Sequence, residues 1–210
     1  MHITEPTTMV TDYLLAGLGI YFALRLWQTG KASGHKGVKL WSLAFTTLAL
    51  AALLGGTSHG FKLYLTEPAN QLLWKATVAT IGLANFFLLS GTIVATFAHP
   101  VRRWLLVTAG VKLALFVFWM AWHDEFIYVV LDYAPAMLAV AAMQIYAYVC
   151  RKAASAAWLI AGVLLSFVAA GVQVSGFSLH PQFNHNDLYH VVQMGGLYLL
   201  FRGVLLLQDR

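Results

Sequence analysis

Charged residues are scarce in this chain, and cysteine is almost absent. Lysine, arginine, aspartate and glutamate make up 10% of the 210 residues and hydrophobic residues 60%, whereas a soluble domain carries roughly a quarter charged residues. The single cysteine, Cys150, excludes an internal disulfide framework and a CxxC metal site. The chain also lacks an internal repeat, a glycine-rich phosphate loop and a nucleophile elbow. These absences leave an integral membrane protein as the predicted class.

Long apolar runs fill nearly the whole chain, whose mean hydropathy is +0.72. A helix needs about 20 apolar residues to cross a bilayer, and runs of that length lie at residues 10–29, 38–61, 71–97, 104–122, 126–149, 155–176 and 187–207. The sequence therefore predicts an all-α, polytopic membrane protein, with residues 1–210 forming one domain of seven transmembrane helices. The opening MHITEPTTMVTDY lacks a basic n-region and a small-residue cleavage site, so the first run is expected to be retained.

Basic and acidic residues fall on opposite sides of this seven-span arrangement. One side collects most of the basic residues, namely Lys31, Lys36, Lys39, Arg102, Arg103, Arg151, Lys152 and Arg210. By the positive-inside rule, the N-terminus is outside and the C-terminus is cytoplasmic. The basic composition therefore reflects topology and contact with anionic lipid heads rather than nucleic-acid binding. The expected location is the plasma membrane, which in a bacterium is the inner membrane.

Histidines gather at the predicted outer side. His59 ends the second helix in GGTSHG, whose small residues allow another helix to approach closely. His190 lies about one turn inside the seventh helix, and an antiparallel bundle puts both histidines at the same depth. The two can share a ligand if their helices are neighbours. Histidines at a membrane interface are also common without any ligand, and that is the interpretation for His2, His123 and His180.

Polar residues line one face at the start of the seventh helix. At about 100° per residue, that face carries Asn186, Asp187, His190 and Met194. His185, five residues before His190, points away on an ideal helix and joins the cluster only from the helix cap. Either Asn184 or Asn186 suits the N-cap position. Asp187 is then either a functional carboxylate or simply a favourable acid at a helix N-terminus.

Three charged residues lie inside predicted spans. A charge at mid-bilayer costs roughly 2.5 to 3.5 kcal/mol, so Lys112 and Asp132 are not expected to face lipid. Lys75 either pairs with Asp132 at the wall of an outward cavity or reaches the surface without a partner. Pro135, one turn after Asp132, frees a backbone carbonyl and favours a wet cavity there.

The seven-helix plan, with His59 ending the second helix and histidines opening the seventh, resembles the alkaline ceramidase and adiponectin-receptor superfamily (CREST). The segment LYHVVQMGGLYLL is similar to the ceramidase pattern of an aromatic residue, here Tyr189, followed by a histidine, apolar residues, small residues and a tyrosine. The resemblance implies a zinc ion held by three histidines. In this chain they are His59, His190 and, because Asn186 stands four residues before His190, the shifted His185.

The resemblance also implies a function. Zinc with three protein ligands and an open position activates water and polarises a carbonyl, so the implied protein is a zinc-dependent integral-membrane hydrolase. Its substrate would be a lipid-like amide or ester that reaches the site from the outer side of the membrane. The surrounding membrane lipids would be its other partners. Asp187 would be the base or would orient a ligand, and Ser58 is the nearest hydroxyl to His59. The cavity around the metal would include Asn186, Tyr189, Lys75 and Asp132.

Two other classes remain open on the sequence. The same outer polar cluster suits a non-enzymatic protein that binds or transports a small ligand. Two histidines on facing helices also suit an axially ligated haem, although no second pair is visible at another depth. Colour and metal content of the purified protein discriminate among the three.

Overall fold

The computed structural model describes residues 2–210 of the chain. It contains seven α-helices, α1 (Pro6–Ser33), α2 (Lys36–Phe61), α3 (Glu67–Thr96), α4 (Val101–Met120), α5 (Phe126–Arg151), α6 (Ser155–Ser175) and α7 (His185–Val204). A short 3-10 helix, Lys62–Tyr64, continues α2. Over residues 2–210 there is no β-strand, and His180 and Phe183 form an isolated bridge before α7. The prediction of an all-α chain with seven helices is confirmed.

Helices α1 to α6 are long and apolar enough to cross a bilayer. The protein is therefore an integral membrane protein by the length and composition of these six helices. Helix α7 has 20 residues, but polar side chains in its first half lower its hydropathy, namely His185, Asn186, Asp187, His190 and Gln193. The predicted seventh run, 187–207, is displaced towards the C-terminus because it leaves out His185 and Asn186 at the polar start of the helix.

Six of the helices form a closed ring. Following the ring, α1 packs against α2, α2 against α3, α3 against α5, α5 against α6, α6 against α7 and α7 against α1. Helix α4 packs on the outside of the ring, against α3. Only 17% of the residues in the apolar stretch of α4 are buried, against 67% in α3. The order of helices in space therefore differs from their order in the chain at α4.

A glycine lets α1 and α2 approach closely where the site lies. A Cβ on Gly56 of α2 would come within 2.8 Å of the Asp12 Cβ and 2.9 Å of the Tyr13 ring. No side chain larger than hydrogen fits there without movement of α1. The neighbouring Gly55 has more room, because a Cβ there would lie 3.7 Å from Asp12 Oδ2. The small residues of GGTSHG thus bring Asp12 close to α2.

A capping box begins α7 and sets its register. The Asn184 side chain accepts the backbone N–H of Asn186 at 2.8 Å, and Asp187 Oδ2 accepts the backbone N–H of Asn184 at 2.7 Å. Of the two predicted N-cap residues, Asn184 is therefore the one used. The cap makes His185 the first helical residue and places His190 in the second turn, where it is buried.

Candidate functional site

A cavity of about 140 Å³ lies at the end of the ring where α1, α3, α5 and α7 begin. Six helices contribute to its wall, because α2 and α6 end at the same level. Its polar lining residues include Asp12, His59, Gln173, Asn186 and His190. Metal-capable and hydrogen-bonding side chains from four helices therefore face one space.

A second cavity of about 80 Å³ adjoins the first and extends into the ring. Tyr189 and Gln173 line both cavities, together with four apolar residues. The deeper cavity reaches Trp41, Met137 and Leu200, and most of its wall is apolar. Together the two cavities are polar at the end of the bundle and apolar towards its centre.

Asp12 and His190 form the most buried polar contact of the outer cavity. His190 Nε2 lies 3.2 Å from Asp12 Oδ1, with side chains 9% and 7% exposed, respectively. The other nitrogen of the imidazole, His190 Nδ1, lies 2.9 Å from Thr11 Oγ1. The result is a chain of hydroxyl, imidazole and carboxylate that bridges α1 and α7.

The Thr11 hydroxyl has a single proton and two acceptors within reach. It donates either to the Thr8 carbonyl, at 3.0 Å, or to His190 Nδ1. In the first arrangement Nδ1 carries a proton and donates to Thr11, and in the second Nε2 can donate to Asp12. Moving one hydroxyl rotor therefore changes which ring nitrogen is protonated. This freedom is what a group that exchanges protons with a ligand requires.

His59 pairs with a second carboxylate. Its Nδ1 lies 3.1 Å from Glu5 Oε2, and the two side chains are 27% and 39% exposed. The segment before α1 is held beside the end of α2 by the N–H of Thr4, which donates to the Gly60 carbonyl at 3.1 Å. Two histidine–carboxylate pairs thus lie at this end of the bundle, and three of their residues, Asp12, His59 and His190, line the cavity.

The three predicted zinc ligands are only partly brought together. His59 and His190 line the same cavity, even though α1 lies between α2 and α7 in the ring. His185 stands at the first position of α7 and is not among the residues that line this cavity. Among residues 2–210, no group of three histidine, cysteine, aspartate or glutamate side chains is placed to hold a metal ion. Two of the three predicted histidines therefore reach one cavity, and zinc remains a prediction.

The predicted catalytic groups have structural partners. Asp187 is fully buried in the capping box, as expected for an acid at a helix N-terminus, and its Oδ1 has no hydrogen-bond partner within residues 2–210. The Ser58 hydroxyl donates to Asn70 Oδ1 at 3.0 Å. Asn186 and Tyr189 do line the cavity, and the Asn186 Oδ1 accepts a hydrogen bond from Gln173 Nε2 at 2.7 Å.

The predicted ion pair between Lys75 and Asp132 is wrong. The Lys75 ammonium lies 2.8 Å from Asp124 and donates to the Ala121 carbonyl at 2.9 Å. Lys75 reaches these groups because α4 packs on α3, so that the end of α4 lies beside the start of α3. Lys75 thus satisfies a helix C-terminus at the bundle surface.

Asp132 instead pairs with Lys112, at 2.5 Å. Its other oxygen accepts a hydrogen bond from Asn85 Nδ2 at 2.8 Å. The expectation that neither residue faces lipid is confirmed for Asp132, which is 8% exposed, whereas the Lys112 side chain is 29% exposed beside its charged partner. Asn85 lines the deeper cavity, whereas the ion pair joins the outer helix α4 to α5.

Asp12 and Thr11 are the site residues that the sequence analysis missed. Asp12 stands inside the first apolar run, 10–29, and an ionisable residue within a span is by default a candidate functional residue. Asp12 meets this criterion in the same way as Lys75, Lys112 and Asp132. The contact of Thr11 with His190 follows from helix packing and has no signal in the sequence.

Fold and site together define an all-helical integral membrane protein with a central cavity that is polar at one end. Residues 7–209 match the model of a family described as "Family of unknown function (DUF6962)", and the chain belongs to that family. Comparison with curated proteins and with solved structures gives no match.

Proposed function

We propose that this protein binds a small amphipathic molecule, with the polar head at the Asp12–His190 pair and the apolar body in the deeper cavity. The observation that carries the proposal is the graded lining of the two adjoining cavities, from histidine, aspartate and amide side chains to apolar ones. Small-molecule sites typically combine a mostly apolar wall with a few converging polar groups.

The charges at the polar end favour a neutral or positively charged head group. Three carboxylates lie there, those of Glu5, Asp12 and Asp187, against two histidines, His59 and His190. An anionic head would add a like charge to a poorly hydrated space, whereas an alcohol, amide or amine can donate to Asp12 and accept from an imidazole.

The seven-span topology completes the proposal. Helix α7, which packs between α6 and α1, crosses the membrane with the other six, and the N-terminus is outside with the C-terminus in the cytoplasm. The basic residues of the loops after α1, α3 and α5 support this orientation. The polar cavity then opens on the outer side of the plasma membrane, and the ligand enters from there or from the outer leaflet.

Photo-crosslinking with matched probes tests the binding function. Diazirine-bearing dodecanol, dodecylamine and dodecanoate would be added to the full chain in nanodiscs, and labelled peptides identified by mass spectrometry. We expect the alcohol and amine to label residues that line the cavities and to be displaced by unlabelled dodecanol. Dodecanoate should label them less.

A variant that fills the cavity provides the control. Ala170 lines the deeper cavity, whereas Ala142 is exposed on α5. Ala170→Phe should remove the displaceable labelling, and Ala142→Phe should leave it unchanged. Labelling confined to lipid-facing residues, or insensitive to Ala170→Phe, would reject the binding function.

The second candidate function is hydrolysis of a lipid, either without a metal or with zinc. The chain from Thr11 through His190 to Asp12 has the order of nucleophile, base and orienting acid. The resemblance to the ceramidase and adiponectin-receptor superfamily points to the same reaction class, hydrolysis of a lipid amide or ester.

Two measurements separate this candidate from simple binding. Zinc at one ion per chain, lost in His59→Ala and His190→Ala, would support the metal-dependent form. Release of fatty acid from a ceramide or ester, abolished by Thr11→Val but retained after chelation, would support the metal-independent form. Protein that binds the probes, contains no metal and releases no fatty acid would leave binding as the function.

A further inference from the structure

A separate cavity of about 300 Å³ lies at the opposite end of the bundle from His59 and His190. It is bounded by the ends of α3 and α5, the start of α6 and the segment after α7. Its lining includes Thr96, Arg151, Lys152, Ser155 and Asp209. None of these residues takes part in the amphiphile site.

The start of α6 borders this cavity and has no side-chain cap. Ala154 occupies the N-cap position and has no side-chain acceptor, and the structure shows no side-chain cap for this helix. The first N–H groups of a helix need acceptors from elsewhere and carry partial positive charge. Such a terminus favours an anion.

Thr96 provides a second and independent indication of a ligand. It lines the cavity and is 0% exposed, yet its Oγ1 has no hydrogen-bond partner within residues 2–210. Thr77, Thr80 and Thr92, on the same helix, each donate to the carbonyl four residues earlier. A buried hydroxyl without a partner is costly, so a donor left free at a cavity wall points to an acceptor that occupies the cavity.

Two cations complete the surroundings. Arg151 donates from Nη1 to the Ala95 carbonyl at 3.3 Å, which holds the guanidinium at the cavity wall with further N–H groups to offer. Lys152 has φ of +51° at the end of α5, a left-handed conformation that favours glycine. Its ammonium lies 5.5 Å from the centre of the Tyr148 ring. A lysine at a glycine-type position indicates that the side chain itself is useful.

One lining residue carries a carboxylate that would repel an anion, but backbone N–H groups stabilise its charge. Asp209 accepts the backbone N–H groups of Lys36, at 2.5 Å, and Gly37, at 2.9 Å. Asp209 therefore caps the start of α2, where the helix stabilises its charge. The arginine, the lysine and the α6 terminus remain to face an incoming anion.

We propose that this cavity binds a phosphate group, as free phosphate or as the head group of an anionic phospholipid. The arginine fork, the helix N-terminus and a hydroxyl donor are the groups that recognise phosphate oxygens in proteins. The cavity lies at one end of the bundle, where both free phosphate and a lipid head group can reach it.

Binding of two probes to the full chain in dodecyl maltoside, which contains no phosphate, tests the proposal. Titration with inorganic phosphate and with dihexanoyl phosphatidic acid would be followed by calorimetry. Saturable binding of either probe supports the site. Binding of both indicates recognition of the phosphate alone, and binding of phosphatidic acid alone indicates a lipid head group.

Variants assign the binding to this cavity. Arg151→Gln and Thr96→Val should each weaken it by about ten-fold or more, because a hydrogen bond to a charged group is lost. Thr96→Ser should retain wild-type affinity, since it keeps the hydroxyl, and a purely structural role would not give this contrast. Lys152→Gly should weaken binding while preserving the fold, because glycine suits the left-handed backbone.

Arg103→Gln, an exposed position at the same end of the bundle, serves as the matched control and should bind normally. The proposal is overturned if neither probe binds at millimolar concentration. It is also overturned if Thr96→Val and Arg151→Gln, shown to be folded by their thermal unfolding, bind as the wild type does.

Discussion

Removing the charge of Lys112 tests whether an ion pair within the bundle fastens α4 to the helical ring. Lys112 stands near the middle of α4, and its ammonium meets Asp132 of α5 at 2.5 Å. The Asp132 side chain is 8% exposed and has one further partner, the amide of Asn85. In Lys112→Met the carboxylate would keep that amide and lose its only charged partner among residues 2–210.

The expected loss of stability is about 3 kcal/mol. Removing one member of a buried pair costs 3 to 5 kcal/mol, because the other charge is left uncompensated. The lower end applies here, because the Lys112 side chain is 29% exposed and the amide of Asn85 remains. Combining Lys112→Met with Asp132→Asn removes the stranded charge and should recover at least half of the loss.

Unfolding of the purified protein in mixed micelles of increasing SDS content measures both effects. The matched control is Lys75→Met, which removes the other lysine–aspartate pair. The Lys75 and Asp124 side chains are 35% and 59% exposed, so that variant should lose no more than about 1 kcal/mol. Strictly additive effects of Lys112→Met and Asp132→Asn, or equal losses at Lys112 and Lys75, would refute the reasoning.

Three further predictions follow from the packing and the topology. Gly56→Ala should cost about 1 to 3 kcal/mol by forcing α1 away from α2, whereas Gly55→Ala, which has room for a Cβ, should cost far less; thermal unfolding distinguishes them, and equal losses would contradict the packing. Asn184→Ala should lower stability by about 1 kcal/mol through loss of the α7 cap, and unchanged unfolding would argue against the capping box. A reporter fused to the C-terminus that is active only in the cytoplasm should be active, and the opposite result would reverse the proposed orientation.

The helices and the polar end of the bundle could be predicted because each depends on residues that are close together in the sequence. Apolar runs of about 20 residues predict the helices, and the two asparagines before the seventh run predict its cap. The shared depth of His59 and His190 follows from alternating helix direction. None of these predictions requires knowledge of which helices are neighbours.

The ion-pair partners of Asp132 and Lys75 could not be predicted in the same way, because they depend on the order of the helices in space. The ring closes from α3 to α5 and leaves α4 outside. As a result Asp132 meets Lys112, while Lys75 meets the loop after α4. The role of His185 depended on a single residue of register, since the cap at Asn184 makes it the first residue of the helix. Nothing local in the sequence fixes the helix neighbours, whereas the acid three residues after Asn184 is a local signal for that cap.

The two buried acid–base pairs differ in what they can do, and the difference follows from where they lie. Lys112 and Asp132 join α4 to α5, and neither lines the two adjoining cavities. Their contact therefore serves to hold the helices together. Asp12 and His190 line the outer cavity, and the proton between them can be placed in more than one way. Burying polar groups is costly unless they are hydrogen-bonded, so a buried acid–histidine pair that faces a cavity is better explained by contact with a ligand. Asp12, which was not predicted as a metal ligand, is therefore the first residue to test.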